Sequence, residues 1–384
     1  MSPYRNPIAR MLGGALPPLI MAGCGLAPGA IGPTAPTPYE AAGAGGPYTL
    51  FTQPDGSGAT AIQGAISRAK KSIDLTMYTL DDPTVVTWLA GAANKGVAVR
   101  VLLEQDPFYT DHSVKHRFAT GCQASLPTQV LPGLVDGDAV RYASNQEAAK
   151  DLLAKSTKAH TKPQVYWTHD DRFALTHEKS LVIDGNEALI MSNNLTNSGL
   201  GANREYGVVD TVASEVKEVE AIFAADIANT VYKPSQPNLV VSPDDGSGEG
   251  NARTKLEALI KSAKQSVLIE DEEFNDAQVA KLLGSMPSKV KVQVLLDKSA
   301  KQKSDPVLLP NHLKPVYWTM PNNGTLHAKL VLVDGKAAYI GSVNLSCQSM
   351  EVNRELGILL HDAGVVGQLG QAFASDWSAA NSGH

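Results

Sequence analysis

One pattern, His-x-Lys-x-x-x-x-Asp, occurs twice in this chain, and its downstream residues repeat as well. The first copy is His177, Lys179 and Asp184, followed by Ser192, Asn194 and the run Asn203-Arg204-Glu205. The second is His327, Lys329 and Asp334, followed by Gly341, Ser342, Asn344 and Asn353-Arg354-Glu355. In both copies Asn lies 17 residues after His, and Glu lies 28 after it. The echo extends further. Ile66-Ser67-Arg68-Ala69-Lys70-Lys71-Ser72-Ile73 matches Ile260-Lys261-Ser262-Ala263-Lys264-Gln265-Ser266-Val267, and Val165-Tyr166-Trp167-Thr168 recurs as Val316-Tyr317-Trp318-Thr319. Phe223 and Asp226 match Phe373 and Asp376. A duplicated chain of 384 residues is long enough for two halves that each bury a core.

Apolar spacing gives the coarse content of a half. Ala61 to Lys71 has helical spacing and leads into a strand at Ser72 to Tyr78. Thr84 to Lys95 predicts a second helix, stopped by Gly96, and the β-branched run Val97 to Leu103 a second strand. Leu181-Val182-Ile183 and Ala188-Leu189-Ile190-Met191 read as short buried strands around the turn Asp184-Gly185-Asn186. Strands alternating with helices predict an α/β sheet with helices on both faces. A Pro-containing segment, Lys233 to Pro237, separates a first domain at 48–232 from a second at 238–384. The halves differ by an insertion at about 105–160, which follows a strand end and reads as a substrate-covering segment or a surface decoration.

The stretches THEKSLVIDGNEALIMSNNLT and LHAKLVLVDGKAAYIGSVNLS resemble the two catalytic motifs of the phospholipase D superfamily of phosphodiesterases. The resemblance runs from about residue 48 to 380, with Met191 standing where the second copy has Gly341. It implies an α/β fold of two fused sandwich domains related by a pseudo-two-fold axis, with one active site at their interface. It also implies catalysis without a metal or other cofactor, and a monomer that completes the site from its own two motifs.

A phosphate diester is anionic and its alkoxide leaves badly. Its cleavage needs a nucleophile, an acid for the leaving oxygen and cations over the nonbridging oxygens. His177 and His327 can divide the first two tasks, and family precedent makes His177 the nucleophile. Lys179 and Lys329 supply charge, Asn194 and Asn344 hydrogen bonds, and Ser192 and Ser342 further donors to the phosphate. The resemblance assigns Glu205 and Glu355 to orient the motif histidines. Asp184 and Asp334, at strand turns, read as structural. A rival from another class is an inert pair kept as a binding module. Loss of a His or Lys would mark it, and neither copy lacks one. His112, His116, His160 and His169 carry no recognised metal-ligand spacing and read as surface histidines.

The first 24 residues read as an export signal of bacterial lipoprotein type. Arg5 and Arg10 flank a short apolar stretch that ends in Met21-Ala22-Gly23-Cys24, with Cys24 as the lipidated residue. Residues 25–47, rich in Ala, Gly, Pro and Thr, read as a flexible tether. The expected location is therefore the bacterial cell envelope, with the catalytic part held at a membrane surface by a lipid anchor. Cys122 and Cys347 read more simply as two buried thiols than as a bridge.

Net charge is −6, and removal of a leader containing Arg5 and Arg10 makes it two units more negative. That balance disfavours a nonspecific nucleic-acid binder without excluding a local basic cleft. The leading expectation is hydrolysis of a glycerophospholipid to phosphatidic acid and alcohol through a phosphohistidine. The alternatives are a nuclease acting on DNA or RNA and a phosphatidyltransferase of the cardiolipin-synthase kind.

Overall fold

Each half of the chain builds a seven-stranded mixed sheet with the same strand order. The computed structural model describes residues 46–105, 144–169, 172–301 and 309–382. Cys24, Cys122, His112, His116, the leader and most of the tether lie outside them. Residues 39–384 form one compact unit.

The first half contains β1 (Tyr48–Gln53), α1 (Ser57–Arg68), β2 (Ser72–Met77), α2 (Pro83–Asn94), β3 (Ala98–Leu103) and α3 (Asn145–Lys155). It continues with β4 (Gln164–Trp167), β5 (Lys179–Ile183), β6 (Glu187–Met191), α4 (Asn197–Gly201), β7 (Glu205–Asp210) and α5 (Ala213–Ile227). The second contains β8 (Leu239–Ser242), α6 (Ala252–Lys261), β9 (Ser266–Asp271), α7 (Ala277–Gly284), β10 (Lys291–Asp297) and β11 (Val316–Trp318). It ends with β12 (Leu330–Val333), β13 (Ala337–Gly341), α8 (Cys347–Glu351), β14 (Glu355–Leu360) and α9 (Ala363–Asn381).

The first sheet runs β1-β7-β6-β5-β2-β3-β4 and the second, read in the matching direction, β8-β14-β13-β12-β9-β10-β11. Strands β2, β3 and β4 pair in parallel, as do β9, β10 and β11. Parallel neighbours need a crossover, which α2 supplies from β2 to β3, α3 from β3 to β4 and α7 from β9 to β10.

Both faces of the sheets are covered, and the two-residue strand period sorts the side chains. In β5, Leu181 and Ile183 join a core with α1, α2 and α3, whereas Val182 points to the opposite face. In β12, Val331 and Val333 join a core with α6 and α7, whereas Leu330 and Leu332 point the other way. The outward sets from both sheets meet in one continuous apolar cluster with Val216, Val219 and Ile222 of α5 and Val365, Leu369 and Phe373 of α9. This shared layer fuses the halves. Truncating one of its fully buried leucines, such as Leu330, costs about 2–5 kcal/mol.

The motif aspartates explain where two helices end. Asp184 accepts backbone N–H bonds from Lys70, Lys71 and Ser72 at 2.9, 2.6 and 2.9 Å, so α1 stops at Arg68 instead of running to Lys71. Asp334 does the same for Lys264, Gln265 and Ser266 at 2.8, 2.7 and 2.8 Å. Both sit in left-handed backbone, φ 55° and 53°, each followed by a positive-φ Gly. Asp tolerates that conformation, and it makes the tight turn between the motif strands.

The described part of the insertion is a packed helix. Ala148, Ala149 and Leu152 of α3 lie in the first half's core. The Asn145 side chain accepts from Leu80 N at 2.9 Å and donates to the carbonyls of Tyr78 and Glu104 at 2.8 Å each. Cys347 is disulfide-bonded, which corrects the buried-thiol reading; the chain's other cysteines both lie outside the described residues. Among the described residues no helix is long and apolar enough to cross a membrane.

Candidate active site

Two backbone bridges between the halves set the site. His177 N donates to Arg354 O at 2.8 Å, and Arg354 N donates to Leu175 O at 2.8 Å. In the mirrored bridge His327 N donates to Arg204 O at 3.2 Å, and Arg204 N to Thr325 O at 2.9 Å. Each Asn-Arg-Glu run therefore pairs with the segment that enters the other half's motif. Glu, one residue past Arg, is delivered to the histidine of the opposite half. His177 Nδ1 lies 2.8 Å from Glu355 Oε2, and His327 Nδ1 lies 2.8 Å from Glu205 Oε1.

The crossing is reinforced by side chains. Arg354, fully buried, donates to Asp226 of α5 at 2.9 Å and to Ser242 O at 2.9 Å. Arg204 donates to Asp376 of α9 at 2.7 Å and to Gln53 O at 2.6 Å. Both Arg–Asp pairs join one half to the other. Asn203 and Asn353 brace the glutamates at 3.4 and 3.3 Å. Strand-end carboxylates hold the incoming segments: Glu104 accepts from Thr176 N at 2.7 Å and Asp297 from Leu326 N at 3.0 Å. Buried, multiply bonded partners of this kind fix a ring's orientation and tautomer.

With Nδ1 committed to a carboxylate, Nε2 is the nitrogen of each ring left to meet a substrate. Both histidines keep 12% side-chain exposure, so they reach the solvent side of an otherwise buried cluster. Lys179 and Lys329 are fully buried and donate to the carbonyls of His177 and His327 at 2.5 Å each. The charges of Lys329 and Glu272 reach Lys179, and that of Lys329 reaches His177. The cations of the two motifs thus occupy one electrostatic site.

Burial pushes the Lys179 ammonium down to about 7, against the pull of Glu355. Burial also lowers His177, outweighing the Glu355 carboxylate. Burial would raise Glu355, but His177, Lys179 and Ser342 hold it below the usual carboxylate range. Two buried ammonium groups in one site favour an anion beside them, so bound phosphate would restore the charged form of Lys179.

The amide oxygens of Asn194 and Asn344 are buried without a hydrogen-bond partner among the described residues. The serine hydroxyls are bonded within the protein. Ser192 Oγ donates to Glu205 at 2.6 Å and accepts from Tyr206 N at 3.0 Å. Ser342 Oγ donates to Leu356 O at 3.1 Å and accepts from Leu356 N at 3.0 Å. Both hydroxyls hold the glutamate strands. Gly341, at φ 150°, lies so close to Gly357 that a Cβ would meet the Gly357 Cα at 2.3 Å. Met191 fits in the first copy, packed into that half's core opposite Gly207.

Two site residues escaped the sequence reading because they are not repeated. Tyr78 and Glu272 are the first residues after the matching strands β2 and β9. The Tyr78 ring meets His177 edge-on, centroids 4.8 Å apart, with Lys179 Nζ 5.0 Å from its centre. Glu272 Oε2 lies 3.4 Å from His327 Nε2 and 3.2 Å from Lys329 Nζ. His160 and His169 are exposed. Among the described residues no group of three or more His, Cys, Asp or Glu is arranged to hold a metal ion.

Comparison with known proteins agrees with this geometry. The family model described as "Cardiolipin synthase, PLD-like domain" matches residues 62–227 and 256–377. Cardiolipin synthase 2 of Bacillus cereus is 28% identical over 233 residues, covering 52% of this chain and 44% of that protein. Cardiolipin synthase of Halalkalibacterium halodurans is 29% identical over 236 residues, covering 53% and 46%. The chain thus spans about half the length of the curated relatives it matches. Among solved structures, phosphatidylserine synthase from Haemophilus influenzae superposes with TM-score 0.57 at 14% identity, covering 84% of each chain. Polyphosphate kinase from Porphyromonas gingivalis gives 0.58 at 13%, covering 85% of this chain and 50% of that one. These two likenesses show a common fold. With the family model matched in both halves and both His-x-Lys motifs on one composite site, the chain belongs to the phospholipase D superfamily.

Proposed function

We propose that this chain transfers a phosphatidyl group from a glycerophospholipid to an alcohol, with water as a competing acceptor that gives phosphatidic acid. The observation that carries the reading is the crossed pair of histidines, each held by a buried glutamate of the other half, over two buried lysines. One histidine attacks phosphorus through Nε2 and the P–O bond to the alcohol breaks. The second gives that alcohol its proton. An acceptor hydroxyl then returns a proton to the second histidine as its oxygen displaces the first. The lysines neutralise the nonbridging oxygens throughout.

Transfer is favoured over the hydrolysis expected from the motifs because the sequence relatives are named cardiolipin synthases. A nuclease is the less supported reading, since the net charge is negative. A lipid-modified Cys24 would place the site at its substrate surface, and the mass of the mature N-terminus tests it. The function is tested on phosphatidylglycerol vesicles, with and without added glycerol, beside plasmid DNA in the same buffer. His177-dependent formation of new phosphodiester lipids is the expected result. Phosphatidic acid alone would replace transfer with hydrolysis, and DNA cleavage with inert vesicles would replace both with a nuclease.

A further inference from the structure

The two motifs are alike, but the residues packed against their histidines are not. Strands β2 and β9 each have six residues, pair with the motif strands through Thr76–Ser180 and Glu270–Leu330, and end at Met77 and Asp271. The next residue is Tyr78 in one half and Glu272 in the other. The Tyr78 ring meets His177 in a T-shaped contact, an apolar neighbour without charge. Glu272 presents a carboxylate to His327, 3.4 Å from Nε2, an ion-pair distance and not a formed hydrogen bond. His327 therefore lies between two carboxylates, Glu205 at Nδ1 and Glu272 at Nε2.

We propose that Glu272 makes the two histidines inequivalent, keeping a proton on His327 Nε2 so that His327 serves the alcohol while His177 attacks phosphorus. This deepens the proposed function by assigning the direction of the reaction across the site. In the first step the His177 Nε2 lone pair forms the N–P bond, and the P–O bond breaks toward the alcohol. The departing oxygen takes the proton from His327 Nε2. In the second, the acceptor oxygen attacks phosphorus, its proton passes to His327 Nε2, and the N–P electron pair returns to His177. Glu272 favours the protonated ring at the start and end of this cycle. The charged groups on His327 are Glu205 from β7 and Glu272 after β9, with Lys329, two residues on in its own segment, bound to its carbonyl and to Glu272. Glu272 is the carboxylate among them placed at the reacting nitrogen. It is a positioning residue in this account, acting through His327.

The test compares an alkyl phosphodiester, whose alkoxide needs a proton to leave, with a p-nitrophenyl phosphodiester, whose phenolate does not. General-acid help is worth roughly 10²- to 10⁴-fold. Glu272→Gln is expected to lower kcat on the alkyl ester by about 100-fold or more, while the p-nitrophenyl ester loses less than about fivefold. Glu272→Asp recovers part of the loss. Trapped phosphoenzyme carries phosphate on His177 in the wild type, and on both histidines in Glu272→Tyr, which copies Tyr78 into the second half.

Equal losses on both esters would reduce Glu272 to a structural residue and overturn the proposal. So would phosphate on His327 in the wild type. The p-nitrophenyl diester contains no lipid, so these readouts hold whichever natural diester the enzyme uses. Vesicles left inert by an enzyme active on p-nitrophenyl diesters would count against phosphatidyl transfer alone.

Discussion

Replacing Asp184 should unsettle the fold and leave the chemistry largely intact, although it is the third residue of the motif. Its carboxylate accepts three backbone N–H groups at the entrance to β2. Strand β5 separates it from Lys179 by five residues, or about 16 Å at 3.3 Å per residue, beyond contact with a phosphate held by that lysine. Hydrogen bonds to a charged group are worth about 1.5–3 kcal/mol each, but Lys70 and Lys71 are exposed and water replaces part of the loss.

Asp184→Ala should therefore cost about 2–3 kcal/mol for the bonds, plus roughly 1 kcal/mol for placing Ala at φ 55°. Asp184→Asn, which keeps an acceptor and tolerates that φ, should cost about 1 kcal/mol. Denaturant unfolding gives the stability, and turnover per folded molecule should stay within about fivefold, since no catalytic interaction is removed. Three backbone N–H groups hold the Asp184 carboxyl below the ordinary value, despite slight burial. The stabilisation is thus complete above about pH 4 and is lost as pH falls through the lower folded-state value. An Asp184→Asn variant of unchanged stability and no activity would refute this reasoning.

Glu355→Gln and Glu205→Gln should each lower kcat by roughly 10²- to 10⁴-fold, as expected when the partner fixing a catalytic imidazole is neutralised. An effect from only one of them would break the crossed arrangement. Since His177 must be neutral to attack and burial lowers its pKa, the acidic limb of kcat/KM should fall below about pH 6.5, the ordinary value for His. A limb above that pH contradicts the environment described. The lysines and histidines supply the charge and proton transfer in this account, so turnover should survive exhaustive chelation. Loss with EDTA, restored by one added metal, would require a different catalytic centre.

The repeated parts of the molecule were readable because repetition separates signal from accident. His177 and His327, their lysines and the Asn-Arg-Glu runs could all be found by spacing. Asp226 and Asp376 were visible as an echo, yet their ion pairs with Arg354 and Arg204 join residues more than a hundred positions apart, which spacing does not encode. The crossing of Glu205 and Glu355 was hidden for the same reason: it follows from bridges between the halves, not from either half alone. The bonds of Ser192 to Glu205 and of Ser342 to the Leu356 backbone were hidden too, because a hydroxyl near a motif suits a ligand and a neighbouring strand equally well. Glu272 and Tyr78 were invisible to a search for matches because they differ. Helix α3 did carry a local signal. Ser144 with Glu147 three residues on has the form of a capping box, and Ser144 Oγ accepts from Glu147 N at 3.2 Å.

The central claim is that both halves make one site around one phosphate. Its most direct test is steady-state turnover of an alkyl phosphodiester by His177→Ala and His327→Ala, each shown to be folded. One shared site predicts that each substitution alone removes turnover, as far as the two together do. Two variants that each kept about half the wild-type rate would mean two independent sites and would contradict the account.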